Sequence, residues 1–234
     1  MSPLTILGLG LVLGLKHAFD ADHLVAVSTI VARERSPWRS LWVGLFWGMG
    51  HTVTLLVVGL LVLGMDIHIP ALVELSLECV IGLVLVGLGL TTLYDCWRKR
   101  VHVHPHVHDN AAHTHFHTHA ESMAHSHAHP LQLSTRPLLL GVIHGLAGSA
   151  ALMLLVLTTI SSTPLGLMYI AIFGCGAVIG MGTISLLMGF FFSLATDRLQ
   201  ELNHVLRLAV GSLSAAFGAW IVVDIGFVHG LFLG

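Results

Sequence analysis

The chain has 234 residues, of which 55% are hydrophobic and 9% are charged, whereas soluble globular domains carry about 25% charged residues. This composition excludes an ordinary soluble domain and indicates the lipid bilayer as the environment of the chain. A formal net charge of −2 provides no basic field for phosphates, so nucleic acid is not an expected partner.

Six apolar stretches are long enough to cross a bilayer, whose hydrocarbon core of about 30 Å needs about 20 helical residues. They are residues 4–32, 41–65, 69–94, 137–160, 165–195 and 205–232. The first lacks a positively charged leader and exceeds the length of a signal-peptide core, so we expect it to stay in the mature protein. The sequence predicts an all-α, polytopic membrane helix bundle with six transmembrane helices.

The two halves of the chain resemble each other, which predicts three regions: a three-helix repeat at 1–95, a loop at 96–136 and a second repeat at 137–234. The matches are Gly14-Leu15-Lys16-His17 with Gly141-Val142-Ile143-His144, GMGHTVTLL at 48–56 with GMGTISLL at 180–187, and Gly82, Gly89 and Asp95 with Gly211, Gly218 and Asp224. An odd number of spans per repeat inverts the second copy. The prediction is a 3+3 inverted repeat with a substrate site near the midplane.

Basic residues predict the orientation of the chain in an inner or plasma membrane. They follow the first and third spans and lie around the connection between the fifth and sixth: Arg33, Arg35, Arg39, Arg98, Lys99, Arg100, Arg136, Arg198 and Arg207. The opposite connections, 66–68 and 161–164, carry none. The positive-inside rule therefore places both termini outside and the 96–136 loop in the cytoplasm.

The first span contains the motif HAFDADH, with His17, Asp20, Asp22 and His23 in an apolar helix. Ionisable groups at this depth cost several kcal/mol each and usually serve function. Imidazole and carboxylate suit Ni²⁺, Co²⁺ or Zn²⁺, and the isolated cysteines offer no thiolate pair for Cu(I). The alternative is that these side chains form interhelical hydrogen bonds that stabilise the bundle.

A regular helix places Asp22 about 140° and His23 about 120° from His17, in opposite directions, so one ion cannot bind all three. Either the helix breaks at the motif or the ligands divide. His51 in the second span and His144 in the fourth are candidates to complete the metal site. Asp20 is a candidate ligand, or an acceptor that orients a ligand imidazole.

Two further groups of polar residues are candidates for metal contact. Glu74 and Glu78, one turn apart in the third span, suit ion access, proton coupling or an interfacial structural role. The 96–136 loop carries histidine at alternate positions: His102, His104, His106, His108, His113, His115, His117, His119, His125, His127 and His129. Its composition predicts a segment that is largely disordered without metal and that binds metals with low specificity. The alternative is a solvated spacer that binds no metal.

HAFDADH resembles the signature of the nickel/cobalt transporter (NiCoT) family, whose HxxxxDH core is matched by His17, Asp22 and His23. FWGMGHT, which contains His51, is similar to that family's second helix motif, and HGLAGSAA from His144 resembles the six-span branch with urease-accessory nickel permeases. The full-length family has eight spans, and its Arg before the signature His is Lys16 here. The resemblance implies Ni²⁺ or Co²⁺ as substrate and a cytoplasmic nickel chaperone or nickel-enzyme maturation factor as a candidate partner.

These features predict a permease without a prosthetic group rather than an enzyme. The sequence contains no HExxH motif, no HxxHH boxes and no GxxxxGK[ST] motif, which argues against a membrane metalloenzyme and against an ATPase within this chain. A membrane potential drives cations inward by about 2.3 kcal/mol per charge per 100 mV, which favours uptake. Efflux is one alternative, because the His-rich loop also resembles that of nickel/cobalt efflux proteins. A metal sensor or reservoir is the other.

Overall fold

The computed structural model of the chain describes residues 2–34, 36–65, 70–98, 102–108, 111–117, 130–147, 160, 162–198 and 200–232. The helices are α1 (Pro3–His17), α2 (Ala21–Val31), α3 (Pro37–Met65), α4 (Ala71–Arg98), α5 (Pro130–Ala147), α6 (Thr163–Arg198) and α7 (Gln200–Val223). A π-helical turn at Asp224–Val228 continues α7. Two strands, β1 (His102–His108) and β2 (Ala111–His117), form an antiparallel pair between α4 and α5.

Four helical segments of the described part are long and apolar enough to cross a bilayer: α3, α4, residues 163–194 of α6 and residues 202–228 of α7 with its π-helical turn. The pair α1 and α2, bent by 52°, gives a fifth if it counts as one broken span. The chain is therefore a multi-pass membrane protein. The predicted fourth span at 137–160 is covered by α5 up to Ala147, and residues 148–159 lie outside the described part.

The start of α1 follows the capping rules. The Ser2 side chain accepts a hydrogen bond from the Thr5 backbone N–H at 3.2 Å, and Pro3 stands at the first helical position, where its missing N–H costs nothing. Large apolar side chains then face outward along the bundle, among them Leu4, Trp38, Phe191 and Val228. Such a surface fits lipid, since soluble proteins rarely expose apolar patches of this extent.

The interior lies between α2, α3 and α6, where Val27, Val43, Trp47, Ala177 and Met181 are buried in one cluster. Helix α3 contacts both α5 and α6, α1 contacts α6, and α4 contacts α7. Helices in a bilayer associate through close packing, because the surrounding lipid is as apolar as their side chains. The helix pairs are accordingly brought together at small residues.

Glycines permit the closest contacts between these helices. A Cβ at Gly14 would collide with the Phe173 carbonyl, and a Cβ at Gly141 would collide with the Trp47 carbonyl. In α4, a Cβ at Gly89 would lie 2.5 Å from the Ala215 backbone nitrogen. Larger side chains at these positions would force the helices apart.

Strands β1 and β2 differ from the expected disorder of the His-rich loop. Their register pairs His102 with His117, His104 with His115 and His106 with His113. Histidine at every second residue matches the two-residue period of a strand, which explains why this composition is compatible with a paired ribbon. Residues 118–129, with the remaining loop histidines from His119 onward, lie outside the described part.

Substitution of Gly89 tests the contact between α4 and α7. We expect Gly89→Val to lower the thermal unfolding temperature of the purified protein, because overpacking costs about 1–3 kcal/mol. Gly87→Val is the matched control, since a Cβ at Gly87 meets nothing within 4 Å. Equal loss of thermal stability in both variants would contradict this contact.

Candidate metal centre

The break between α1 and α2 falls within HAFDADH and organises the site. Helix α1 ends at His17, and α2 begins at Ala21 after an extended Asp20 with φ −63° and ψ 147°. The Asp20 carboxylate accepts a hydrogen bond from His17 Nδ1 at 2.8 Å. This bond orients the imidazole and leaves the lone pair of its Nε2 for a ligand. The helix therefore breaks at the motif, which is one of the two alternatives that the sequence left open.

His17, His23 and His51 form a compact group, which we call the three-histidine cluster. One ligand atom from each of the three lies within 4.8 Å of the others. The ring centroids are 4.7 Å apart for His17 and His23, 5.1 Å for His17 and His51, and 5.3 Å for His23 and His51. The cluster therefore joins both sides of the helix break to the middle of α3.

The imidazoles of this cluster have nitrogen atoms without hydrogen-bond partners. His51 is fully buried, and neither of its ring nitrogens has a partner; His23 is 1% exposed, and its Nδ1 has none. Buried polar atoms in proteins are nearly always paired, because an unpaired group loses its interaction with water. Nitrogen lone pairs in this state suit a cation, and three imidazoles suit a borderline divalent metal.

Asp22 and His144 adjoin the three-histidine cluster on another side of His23. Asp22 Oδ2 lies 3.6 Å from His144 Nε2 and 3.8 Å from His23 Nε2. The His23 and His144 ring centroids are 4.9 Å apart. Helix α5 supplies His144 near its end, so the predicted fourth-span residue reaches the same region. The structure thus brings together His17, Asp20, Asp22, His23, His51 and His144.

Two aromatic side chains beside the histidines were not predicted as part of the site. The centroid of the Trp47 ring lies 5.1 Å from that of His144 and 6.1 Å from that of His23. The centroids of Phe173 and His17 are 5.4 Å apart. Trp47 precedes His51 by four residues, so helical spacing places both on one face of α3. These apolar rings limit the access of water to the imidazoles.

Asp22 also lines a cavity of about 320 Å³, which we call the acidic cavity. Its other carboxylates are Glu78 from α4 and Asp224 from the π-helical turn, and its apolar wall includes Trp220 and Phe217. The sequence predicts Glu78 as a candidate for metal contact. For Asp224 it predicts only the correspondence with Asp95 in the repeat. Three carboxylates on one cavity wall attract cations.

A second cavity, of about 390 Å³, lies farther along α4, where Leu88 contributes to its wall. It is lined by Arg33, Glu34 and Arg136 among others. Burial raises the pKa of the Glu34 carboxyl, and the Arg39 guanidinium opposes this shift. Its two guanidinium groups distinguish this cavity from the acidic one.

Comparison with known proteins identifies a relative along nearly the whole chain. No family model and no solved structure matches the chain. The urease accessory protein UreH of Bacillus sp. (strain TB-90) is 37% identical over 229 residues, which cover 98% of this chain and 95% of that protein. Its name is that of an accessory protein, and the expectation that this chain is not an enzyme is confirmed. The chain belongs to the family of the urease accessory protein UreH.

Proposed function

We propose that this chain is a membrane permease that carries Ni²⁺ or Co²⁺ through the three-histidine cluster. The observation that carries this proposal is the convergence of His17, His23 and His51 within 4.8 Å at a broken helix. Two of these imidazoles are buried and have unpaired nitrogens. Asp20 orients His17, and Asp22 with His144 completes the set of metal-binding residues.

The choice of metal follows from the ligands and the relative. An all-imidazole cluster suits Ni²⁺, Co²⁺ and Zn²⁺ and provides no soft thiolate. The relative's name refers to urease, an enzyme that contains nickel, and this favours nickel as the substrate. A nickel chaperone or a urease maturation factor in the cytoplasm is the partner that we propose. The metal is cargo in this proposal, and no prosthetic group is involved.

We propose a six-span architecture with two inverted halves, and reciprocal helix contacts support it. Gly14 faces Phe173 and Ala177, while Gly141 faces Trp47 and His51. The two contacts correspond to each other when Gly14 is aligned with Gly141 and the residues of α3 are aligned with the residues of α6 that lie 126 positions later. Trp47 then corresponds to Phe173, and His51 to Ala177. Exchange of contacts between the halves is the signature of a two-fold axis.

The same exchange holds at two other pairs of contacts. Gly48 faces Val178, and the corresponding contact is Gly174 with Thr52. Gly82 faces Gly218, and the corresponding contact is Gly211 with Gly89. The register between α3 and α6 therefore differs from the sequence match, which aligned Gly48 with Gly180. Contacts support Gly174 as the counterpart. Both Gly174-Cys175-Gly176 and Gly180-Met181-Gly182 share the G-x-G pattern of residues 48–50, so the sequence alone fits more than one offset.

Orientation and direction follow from charge. Arginines near the 96–136 loop favour a cytoplasmic loop and external termini in an inner membrane. At 100 mV, inside negative, a divalent cation gains about twice 2.3 kcal/mol on moving inward. We therefore propose uptake, with efflux as the alternative. The loop histidines then bind metal on the cytoplasmic side.

Substitution in the three-histidine cluster tests the site. We expect His51→Ala to lower the initial rate of ⁶³Ni²⁺ transport by about tenfold or more, because it removes a direct ligand. His204→Ala is the control, since His204 is an exposed imidazole on α7. The rates are normalised to protein in the membrane. Unchanged transport in His51→Ala would refute this site.

Replacement of the eleven loop histidines by serine tests the division between the loop and the membrane site. We expect flux at saturating nickel to stay within about twofold of the unmodified chain, while its dependence on metal concentration changes, because a loop outside the bilayer can buffer but cannot line the path. The measurement is initial-rate flux at several nickel concentrations. Loss of all flux would contradict the proposed role of the loop.

The direction of transport is tested with cells that express the protein. We expect these cells to accumulate more ⁶³Ni and to become more sensitive to external nickel, because the membrane potential favours inward movement of the ion. Vector-only cells and cells expressing His51→Ala are the controls. Lower nickel content together with higher tolerance would identify efflux instead.

A further inference from the structure

Asp22 and His144 differ from the other site residues in what they face. His17 and His51 lie against one another within the three-histidine cluster, whereas Asp22 lies at the wall of the acidic cavity with Glu78 and Asp224. His144 approaches Asp22 from α5. We propose that Asp22 and His144 form a second metal position, the outer position, which receives the ion from the acidic cavity and passes it to the three-histidine cluster. This proposal rests on the function proposed above.

The atoms of the outer position have the spacing of metal ligands. Two ligands about 2.1 Å from one ion at a tetrahedral angle lie about 3.4 Å apart. Asp22 Oδ2 is 3.6 Å from His144 Nε2 and 3.8 Å from His23 Nε2. Both distances exceed that separation by only a few tenths of an ångström, so small shifts bring Asp22 to ligand separation from either imidazole.

His144 provides a separate indication of a ligand at this position. Its side chain is 1% exposed, and its Nε2, which lies 3.6 Å from Asp22 Oδ2, has no hydrogen-bond partner. Buried polar atoms are nearly always paired, because burial of an unpaired polar group is costly. Its Nε2 instead faces the carboxylate that lines the acidic cavity.

His23 links the outer position to the three-histidine cluster. Its Nε2 lies 3.8 Å from Asp22 Oδ2, and its Nδ1 has no hydrogen-bond partner. The ring centroids of His144 and His51 lie 4.9 and 5.3 Å from that of His23. An ion that moves from one position to the other therefore keeps a histidine ligand within reach.

The acidic cavity has the size and charge to supply this outer position. Its volume of about 320 Å³ exceeds that of an ion with about six waters, which occupy about 180 Å³ at the volume of liquid water. Glu78 and Asp224 concentrate cations between apolar walls, where fields are weakly screened. Asp22 and His144 then begin to replace the hydration shell, and the three-histidine cluster completes the replacement.

The test measures ⁶³Ni²⁺ binding to the purified full-length chain whose eleven loop histidines are replaced by serine. We expect His51→Ala to retain a binding event, because the outer position keeps Asp22, His144 and His23. Adding Asp22→Asn or His144→Gln to His51→Ala should raise the Kd of that event by about tenfold or more. Thermal unfolding of each variant is measured in parallel, and only variants that match the parent are compared.

Two carboxylates one turn apart provide a matched pair of variants. Glu78→Gln and Glu74→Gln remove the same charge from the same helix, and only Glu78 lines the acidic cavity. We expect Glu78→Gln to weaken nickel binding in the His51→Ala background at least about threefold more than Glu74→Gln does. Equal effects would overturn the role of the acidic cavity.

The outcomes separate the outer position from the proposed function. Complete loss of binding in His51→Ala, or residual binding that is insensitive to Asp22→Asn and to His144→Gln, would overturn the outer position even if the chain transports nickel. Binding at both positions without nickel flux in the unmodified chain would refute the permease and leave the outer position standing. Binding at both positions together with flux supports both proposals.

Discussion

A helix that stops inside a membrane must satisfy its terminal backbone groups without water, and the rest of the site depends on how the first span does this. The Phe19 N–H donates to the Lys16 carbonyl at 2.9 Å, and the Asp20 N–H donates to the His17 carbonyl at 3.0 Å. These tight turns close α1, and the Leu24 N–H donates to the Asp20 carbonyl at 3.0 Å to open α2. These hydrogen bonds pair part of the polar backbone at the point where the chain changes direction.

The side chains at this break follow from the change in direction. Asp20 occupies the N-cap position of α2, but its side chain makes no hydrogen bond to the first turn of that helix. Its carboxylate instead accepts a hydrogen bond from the His17 imidazole at the end of α1. His23 enters the interior one turn into α2. In the proposed permease, this geometry presents imidazoles from two helix segments to one ion, which a continuous helix cannot do.

The two ends of the bundle differ in charge, although the proposed repeat relates them. Asp95 Oδ2 lies 3.3 Å from Arg33 Nη1, whose guanidinium also donates to Thr91 and Thr92. The residue that corresponds to Asp95 in the proposed repeat is Asp224, whose Oδ2 lies 3.4 Å from His229 Nδ1. Asp224 also lines the acidic cavity. An arginine neutralises one carboxylate, while the other contributes to a cation-attracting field. In the proposed permease, this asymmetry favours entry of the cation from the side of Asp224.

The sequence by itself determined the membrane class, the apolar helices and the motif at which the first span breaks, because composition and local spacing govern these features. It also identified His51 and His144, since a histidine in an apolar helix is conspicuous. Only the tertiary structure decided that His17, His23 and His51 gather while Asp22 turns towards His144. The angle between helices after a break is fixed by long-range packing, here at residues such as Gly14 against Phe173, and no local spacing encodes it. For the same reason Asp224, which lines the acidic cavity from the π-helical turn, was not predicted. Trp47 could have been predicted from its four-residue spacing to His51.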